Sequence, residues 1–190
     1  MARLVRASSS PRRRDLLARL GAAPDQIHSP DIDERPRKGE LPRAYALRMA
    51  EEKARAVPRQ DNALIVAGDT TVAVGRRILP PAETEAVQRE LLAMLSGRRH
   101  RALSAVCVLD EEGRARLRLS NTVVAFKRLT QAEIDEYVES GEGLGKAGGY
   151  AIQGRAEALV RYLSGSYSGV VGLPLFETRA LLEASGYKLG

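Results

Sequence analysis

Tryptophan is absent from this 190-residue chain, phenylalanine occurs twice, and aromatic residues make up 4% of it. So few rings argue against a surface on which single-stranded bases stack in succession. There is one cysteine, Cys107, in the apolar run Ala105-Val106-Cys107-Val108-Leu109, which excludes an internal disulfide framework and reads as a buried thiol. With only two histidines beside it, a His/Cys metal site is improbable, and any metal is expected to be a hard ion on carboxylates and phosphate. No apolar run approaches the roughly 18 residues that span a bilayer. The opening Met1-Ala2-Arg3-Leu4-Val5-Arg6 enters a strand-like pattern without the apolar segment of a signal peptide, so the expectation is a cytoplasmic protein. Neither a P-loop nor GxGxxG at a strand–helix turn is present, which weighs against Walker-type and Rossmann readings.

A hydrophobic fraction of 44% with 28% charged residues is that of a folded soluble chain, and the length fits one domain over residues 1–190. The net charge of +6 is uneven. Residues 1–60 carry 14 Lys/Arg against eight Asp/Glu, whereas residues 61–190 carry 16 of each. The first third therefore meets either a polyanion or a small phosphorylated ligand.

Strand-like and helical patterns alternate. A strand over residues 4–7 leads to a helix from Ser10-Pro11 to about residue 20, stopped by Gly21. A short strand over 26–29 and a polar loop over 31–42 follow. Residues 43–57 read as a helix with Ala44, Leu47, Ala50, Ala54 and Val57 on one face. Strands are expected over 63–67, continuing to 74, and as a pair over 103–109 and 117–126. Helices are expected over 83–95, over 130–140 with Thr130 and Glu133 as a capping box, and over 173–184. Residues 158–163 read as a strand. The sum is an α/β fold with a mixed sheet.

Four segments carry chemistry. Ser8-Ser9-Ser10-Pro11-Arg12-Arg13-Arg14 runs from a strand into a helix N-terminus, where free N–H groups and two arginines suit an anion. Asp31-Ile32-Asp33-Glu34 with Lys53 offers loop carboxylates and a cation. Asp69, in Gly68-Asp69-Thr70-Thr71 at the end of an apolar strand, suits metal binding or activation of water. Lys146 and Gln153 sit in the glycine-rich run Gly145-Lys146-Ala147-Gly148-Gly149-Tyr150-Ala151-Ile152-Gln153-Gly154, which is able to wrap a nucleotide. His100, after a helix stop, reads as structural.

In this order, these segments resemble the Maf family of nucleoside triphosphate pyrophosphatases. The likeness extends through Leu95-Ser96-Gly97, Gly165-Ser166-Tyr167 and Val171-Gly172-Leu173-Pro174-Leu175, from about residue 4 to 177. It implies a two-lobed fold related to inosine triphosphatases, with a mixed twisted sheet and an active-site cleft between lobes. The implied reaction is hydrolysis of the α–β phosphoanhydride with a divalent cation, usually Mg²⁺, with Mn²⁺ or Co²⁺ as alternatives. Asp69 is implied as proton acceptor, with Glu34 and Asp69 on the metal. Ser8, Arg12, Arg13, Glu34, Lys53, Thr70, Lys146 and Gln153 are implied as substrate-binding. The stretch Tyr150-Ala151-Ile152-Gln153-Gly154 resembles the dTTP/UTP branch, and neutral Gln153 offers both a donor and an acceptor to a pyrimidine edge. The 7-methyl-GTP branch tends to carry a carboxylate there. A homodimer is implied, with no membrane and no nucleic acid as partners. Where the family often has a lysine near Pro80-Pro81, this chain has Arg76 and Arg77, and the tryptophan often found before Lys146 is missing. Two other readings stand beside this one: a 7-methyl-GTP or damaged-purine triphosphate pyrophosphatase, and a non-catalytic nucleic-acid-binding or division-regulating protein.

Overall fold

The computed structural model describes residues 2–190. Seven strands form one mixed sheet: β1 (Arg3–Ala7), β2 (Gln26–His28), β3 (Ala63–Val74), β4 (Arg77–Leu79), β5 (Arg99–Leu109), β6 (Ala115–Phe126) and β7 (Val160–Ser164). Their order is β2-β1-β3-β5-β6-β7, with β4 paired to β3 off that path. β1 runs parallel to β2 and β3, and every other pairing is antiparallel. The helices are α1 (Pro11–Ala18), α2 (Pro42–Arg55), α3 (Glu85–Leu95), α4 (Gln131–Glu139), α5 (Tyr167–Val171) and α6 (Leu175–Ala184), with a 3₁₀ turn over Arg155–Leu159. No helix among the described residues is long and apolar enough to cross a membrane.

The expected α/β class and mixed sheet are observed. Three elements differ. β5 begins at Arg99, ahead of the apolar run, because its polar first residues pair with β6 up to Arg99↔Ala125. β4 escaped the sequence because three residues are too few for a period; its register against Val72 to Val74 of β3 creates it. The glycine-punctuated stretch before residue 173 hides α5, which Ser166 caps by accepting from Gly169 N–H. The capping box of α4 is present as expected, Thr130 and Glu133 each satisfying the other's backbone N–H.

Twelve residues long, β3 passes through both lobes. In its first half the side chains alternate between two apolar clusters. Ile65 and Ala67 join Val5, Ala46, Ala50 and Leu103 under α2. Leu64 and Val66 join Leu4, Leu16, Leu17 and Leu182 under α1 and α6. In its second half Val72 enters a separate core with Leu92, Leu95, Phe126, Tyr137 and Ile152, built by α3, α4 and the 141–154 segment. Between the two halves lie Gly68, Asp69 and Thr70. β3 thus carries its polar residues to the seam between lobes.

Candidate active site

Each lobe contributes one wall of a cleft at that seam. The first supplies Ser10, Arg12, Arg13, Glu34, Lys53, Asp69 and Thr70. The second supplies Pro81, Gly145, Lys146, Ala147, Tyr150 and Val170 to Gly172. The enclosed volume is about 190 Å³, below the roughly 300 Å³ at which pockets enclose a whole small molecule. It has room for part of a nucleotide, with the rest lying in the open mouth.

Lys53 occupies the floor. Its ammonium donates to Glu34 Oε2 at 2.8 Å and to Asp69 Oδ1 at 2.8 Å. Thr71 Oγ1 donates to the other Asp69 oxygen at 2.9 Å. Lys53 and Asp69 are buried, at 8% and 6% exposure, whereas the Glu34 carboxylate reaches in from solvent. The buried stripe of α2 is Pro42, Ala46, Met49, Ala50, Lys53 and Ala54. Ala44, expected on the apolar face, is exposed. The helix is therefore turned so that Lys53 faces the sheet.

Glu34 depends on its loop. Tyr45 Oη donates to the Glu34 carbonyl at 2.7 Å, and Arg48 binds the Arg35 carbonyl and the Glu40 carboxylate. That half-buried Arg48–Glu40 pair holds the Glu40 carboxyl down at about 2. Burial, with Asp69 and Glu34 nearby, pushes the Tyr45 phenol up, so it remains a donor at neutral pH. Of the acidic run only Glu34 lines the cleft. Asp33 pairs outward with Arg35.

The cationic wall is α1 with Lys146. Arg13 donates from Nε to the Gly172 carbonyl at 2.9 Å and from Nη1 to Ser8 Oγ at 3.2 Å. Ser8 Oγ also accepts from Ser10 N–H, so its own hydrogen is left for a ligand. Burial lowers the Arg13 pKa, with Asp69 and Glu34 opposing. Burial followed by Arg13 lowers that of Arg12, and burial followed by Arg12 lowers that of Lys146. Two like charges from different lobes therefore converge, an arrangement that an anion between them would relieve. Gly68 lies against Leu173 and Arg13. A Cβ there would lie 3.2 Å from Leu173 Cδ1 and 3.5 Å from Arg13 Nε.

Backbone bonds pin the segment bearing Lys146 to the β4–α3 connection: Gly145 N–H to the Ala82 carbonyl, and Ala82 N–H to the Lys146 carbonyl. Buried Gln88 donates to the Gly149 carbonyl beneath it. A Cβ on Gly143 would collide with that same carbonyl and with Gln88 Nε2, so only glycine fits there.

The structure thus brings together Arg12, Arg13, Glu34, Lys53, Asp69, Thr70 and Lys146, with Ser8 behind Arg13. Gln153 lies apart. It is exposed on the turn after Ile152 and does not line the cleft. Arg76 and Arg77, candidates to replace the family lysine, are also exposed and outside the cleft lining.

Sequence reasoning missed Thr71, Tyr45 and Ser104. Ser104 donates to the Gly169 carbonyl and lies 2.8 Å from Thr70 Oγ1, so Thr70 must donate to it and keeps only acceptor capacity. The alternation of β3 from Asp69 to Thr71 was the available signal for Thr71. Ser104 had none, because its role rests on strand register. His100 is structural, as read. Buried against Phe126 and Tyr150, it shares a 2.8 Å hydrogen bond with Tyr150 Oη, and burial lowers its pKa to about 4. Cys107 is buried, its thiol pushed up to about 12.

Among solved structures, the Ham1 protein of Staphylococcus aureus superposes with a TM-score of 0.51 at 13% identity, covering 96% of this chain and 97% of that one. A HAM1 protein from Coxiella burnetii gives 0.50 at 15% identity, covering 97% and 100%. At such identities the likeness is one of fold. In sequence, a dTTP/UTP pyrophosphatase of Sphingopyxis alaskensis is 62% identical over 190 residues, the whole of both chains. Proteins of the same name from Novosphingobium aromaticivorans and Rhodospirillum rubrum are each 57% identical. They cover 96% and 98% of this chain and 92% and 90% of their own lengths. The family described as Maf-like protein matches residues 3–185. Matched along nearly its full length, by the family and by these relatives alike, the chain belongs to the Maf family.

Proposed function

We propose that this chain is a nucleoside triphosphate pyrophosphatase that hydrolyses dTTP and UTP to the monophosphate and pyrophosphate. The names of relatives up to 62% identical over the full length support this reading. The observation that carries it is the division of the cleft into a cationic wall of Arg12, Arg13 and Lys146 and a carboxylate floor of Asp69 and Glu34 bridged by Lys53.

Arg12, Arg13 and Lys146 bind the polyphosphate, and Ser8 donates a hydrogen bond at its edge. Asp69, held by Thr71 and Lys53, takes a proton from the water that opens the α–β anhydride; pyrophosphate leaves. Lys53 fixes the Asp69 carboxylate in place. Positioning and charge neutralisation carry most of the catalysis, as in other phosphoryl transfers.

No three His, Cys, Asp or Glu side chains gather anywhere among the described residues to hold a metal ion. The two cleft carboxylates nevertheless suit a hard cation that takes its other ligands from phosphate and water, which is how Mg²⁺ commonly binds. Asp69 and Glu34 would hold it, and when bound it would withdraw negative charge from the phosphate oxygens. The family resemblance extends the proposal to a single domain working as a homodimer in the cytoplasm.

Pyrophosphate release measured with Mg²⁺ across dTTP, UTP, 7-methyl-GTP and purine triphosphates tests the proposal. The expected result is the highest kcat/KM for dTTP and UTP. A preference for 7-methyl-GTP or purines rejects the substrate assignment, and no release from any of them rejects the reaction.

A further inference from the structure

Arg6 lies on β1 where a core strand would ordinarily carry an apolar residue. Its neighbours Val5 and Ala7 join the cluster under α2, and Arg6 faces the opposite side, as Leu4 does, toward α1. It is 3% exposed. Among the described residues no carboxylate forms an ion pair with it, and its Nε has no hydrogen-bond partner. Its surroundings are positive: after burial, Arg14 and then Arg13 lower its pKa, with Asp15 opposing. A buried cation without a counter-ion destabilises a fold, and an apolar side chain of similar volume is often neutral or better. Fold stability therefore does not account for Arg6.

What it touches does. Arg6 Nη1 donates to the carbonyl of Ser10, the residue preceding α1. That carbonyl also receives the first helical bond, from Arg14 N–H at 3.3 Å. No side chain caps α1, and Pro11 has no N–H, so the backbone N–H groups of Arg12 and Arg13 remain for an anion.

We infer that Arg6 is a positioning residue of the phosphate cradle. It pins the Ser10 carbonyl from beneath, sets the path from Ser8 into the first turn of α1, and places a further positive charge behind Arg12 and Arg13. The inference rests on the proposed anion site at this segment and not on the identity of the nucleoside.

The test compares Arg6→Met, Arg6→Gln and Arg6→Lys with wild type, by urea unfolding without ligand and by calorimetric titration with pyrophosphate and Mg²⁺. Arg6→Met is expected to match or exceed wild-type stability while its pyrophosphate Kd rises about tenfold, the scale of one hydrogen bond to a charged group. Arg6→Lys, which keeps the charge, is expected to return to within about threefold of wild type. A purely structural role predicts the reverse, lower stability with unchanged Kd, and that result overturns the inference. If Arg6→Met does not fold, Arg6→Gln is judged by the same change in Kd. Wild-type protein that fails to bind pyrophosphate overturns the anion cradle and this inference with it. Binding without dTTP or UTP hydrolysis rejects only the proposed function.

Discussion

The ammonium nitrogen of Lys53 lies 2.8 Å from a Glu34 oxygen and 2.8 Å from an Asp69 oxygen, bridging a loop position and a strand position 35 residues apart through one buried charge. Glu34 is half exposed, whereas Lys53 and Asp69 are not. Removing the lysine therefore leaves Asp69 as a buried charge without its ion pair. Lys53→Met is expected to lower unfolding free energy by about 3 kcal/mol, the usual scale for breaking a buried pair by deleting one partner. Urea denaturation measures it. A loss under about 1 kcal/mol would place the pair among solvent-screened ones.

Asp69→Asn changes little in volume and keeps one acceptor oxygen for Lys53, while the Thr71 hydroxyl can turn to accept from the new amide N–H. It is expected to fold and to lose on the order of 10²–10⁴ in kcat for pyrophosphate release, the range of a general base. Near-wild-type turnover in a folded Asp69→Asn protein would remove Asp69 from its proposed role.

Gln153 tests the nucleoside preference separately from the reaction. Exposed beside the second lobe, it touches none of the charged floor. Gln153 meets a base only where the nucleotide extends from the cleft into its open mouth, and on that proposal Gln153→Glu is expected to lower kcat/KM for dTTP and UTP relative to 7-methyl-GTP, because a carboxylate offers no donor to a pyrimidine edge. Competition assays with paired substrates read the ratio. An unchanged ratio would assign base recognition to other residues.

His100 makes stability depend on pH. Burial lowers its folded pKa to about 4 from an ordinary 6.5, so between those values the unfolded chain binds more protons. Stability from this group is fully present above about pH 6.5 and is lost as pH falls through 4, a change of about 3 kcal/mol. Denaturation series from pH 7 to 4 should show that slope in wild type and lack its His100 component in His100→Gln. A wild-type slope retained by the variant would trace the effect to other groups.

The chemistry of the cleft was legible because it lies on short local signals. Ser10-Pro11 marks a helix start whatever packs around it, and Gly68-Asp69 ends the apolar half of β3. α2 shows where such signals stop. Four of its fourteen residues are alanine, which sits nearly as well exposed as buried, so periodicity pointed to a face that includes Ala44. Packing against β3 and β5 buried Ala50 and Ala54 as expected, but with Met49 and Lys53 beside them and Ala44 left in solvent.

By itself the sequence determined the α/β alternation, the capping box of α4, the anion-prone entry to α1 and the identity of the charged groups, since each depends on residues within a turn or two of one another. The tertiary structure decided the rest. Strand register set Ser104 beside Thr70, and the rotation of α2 made Lys53 a buried bridge. The meeting of two lobes brought Lys146 against Arg12. It also left Gln153 outside the cleft and placed Arg6 beneath the start of α1. These are long-range contacts, and burial and Coulomb interaction act on distance in space whatever the separation along the chain.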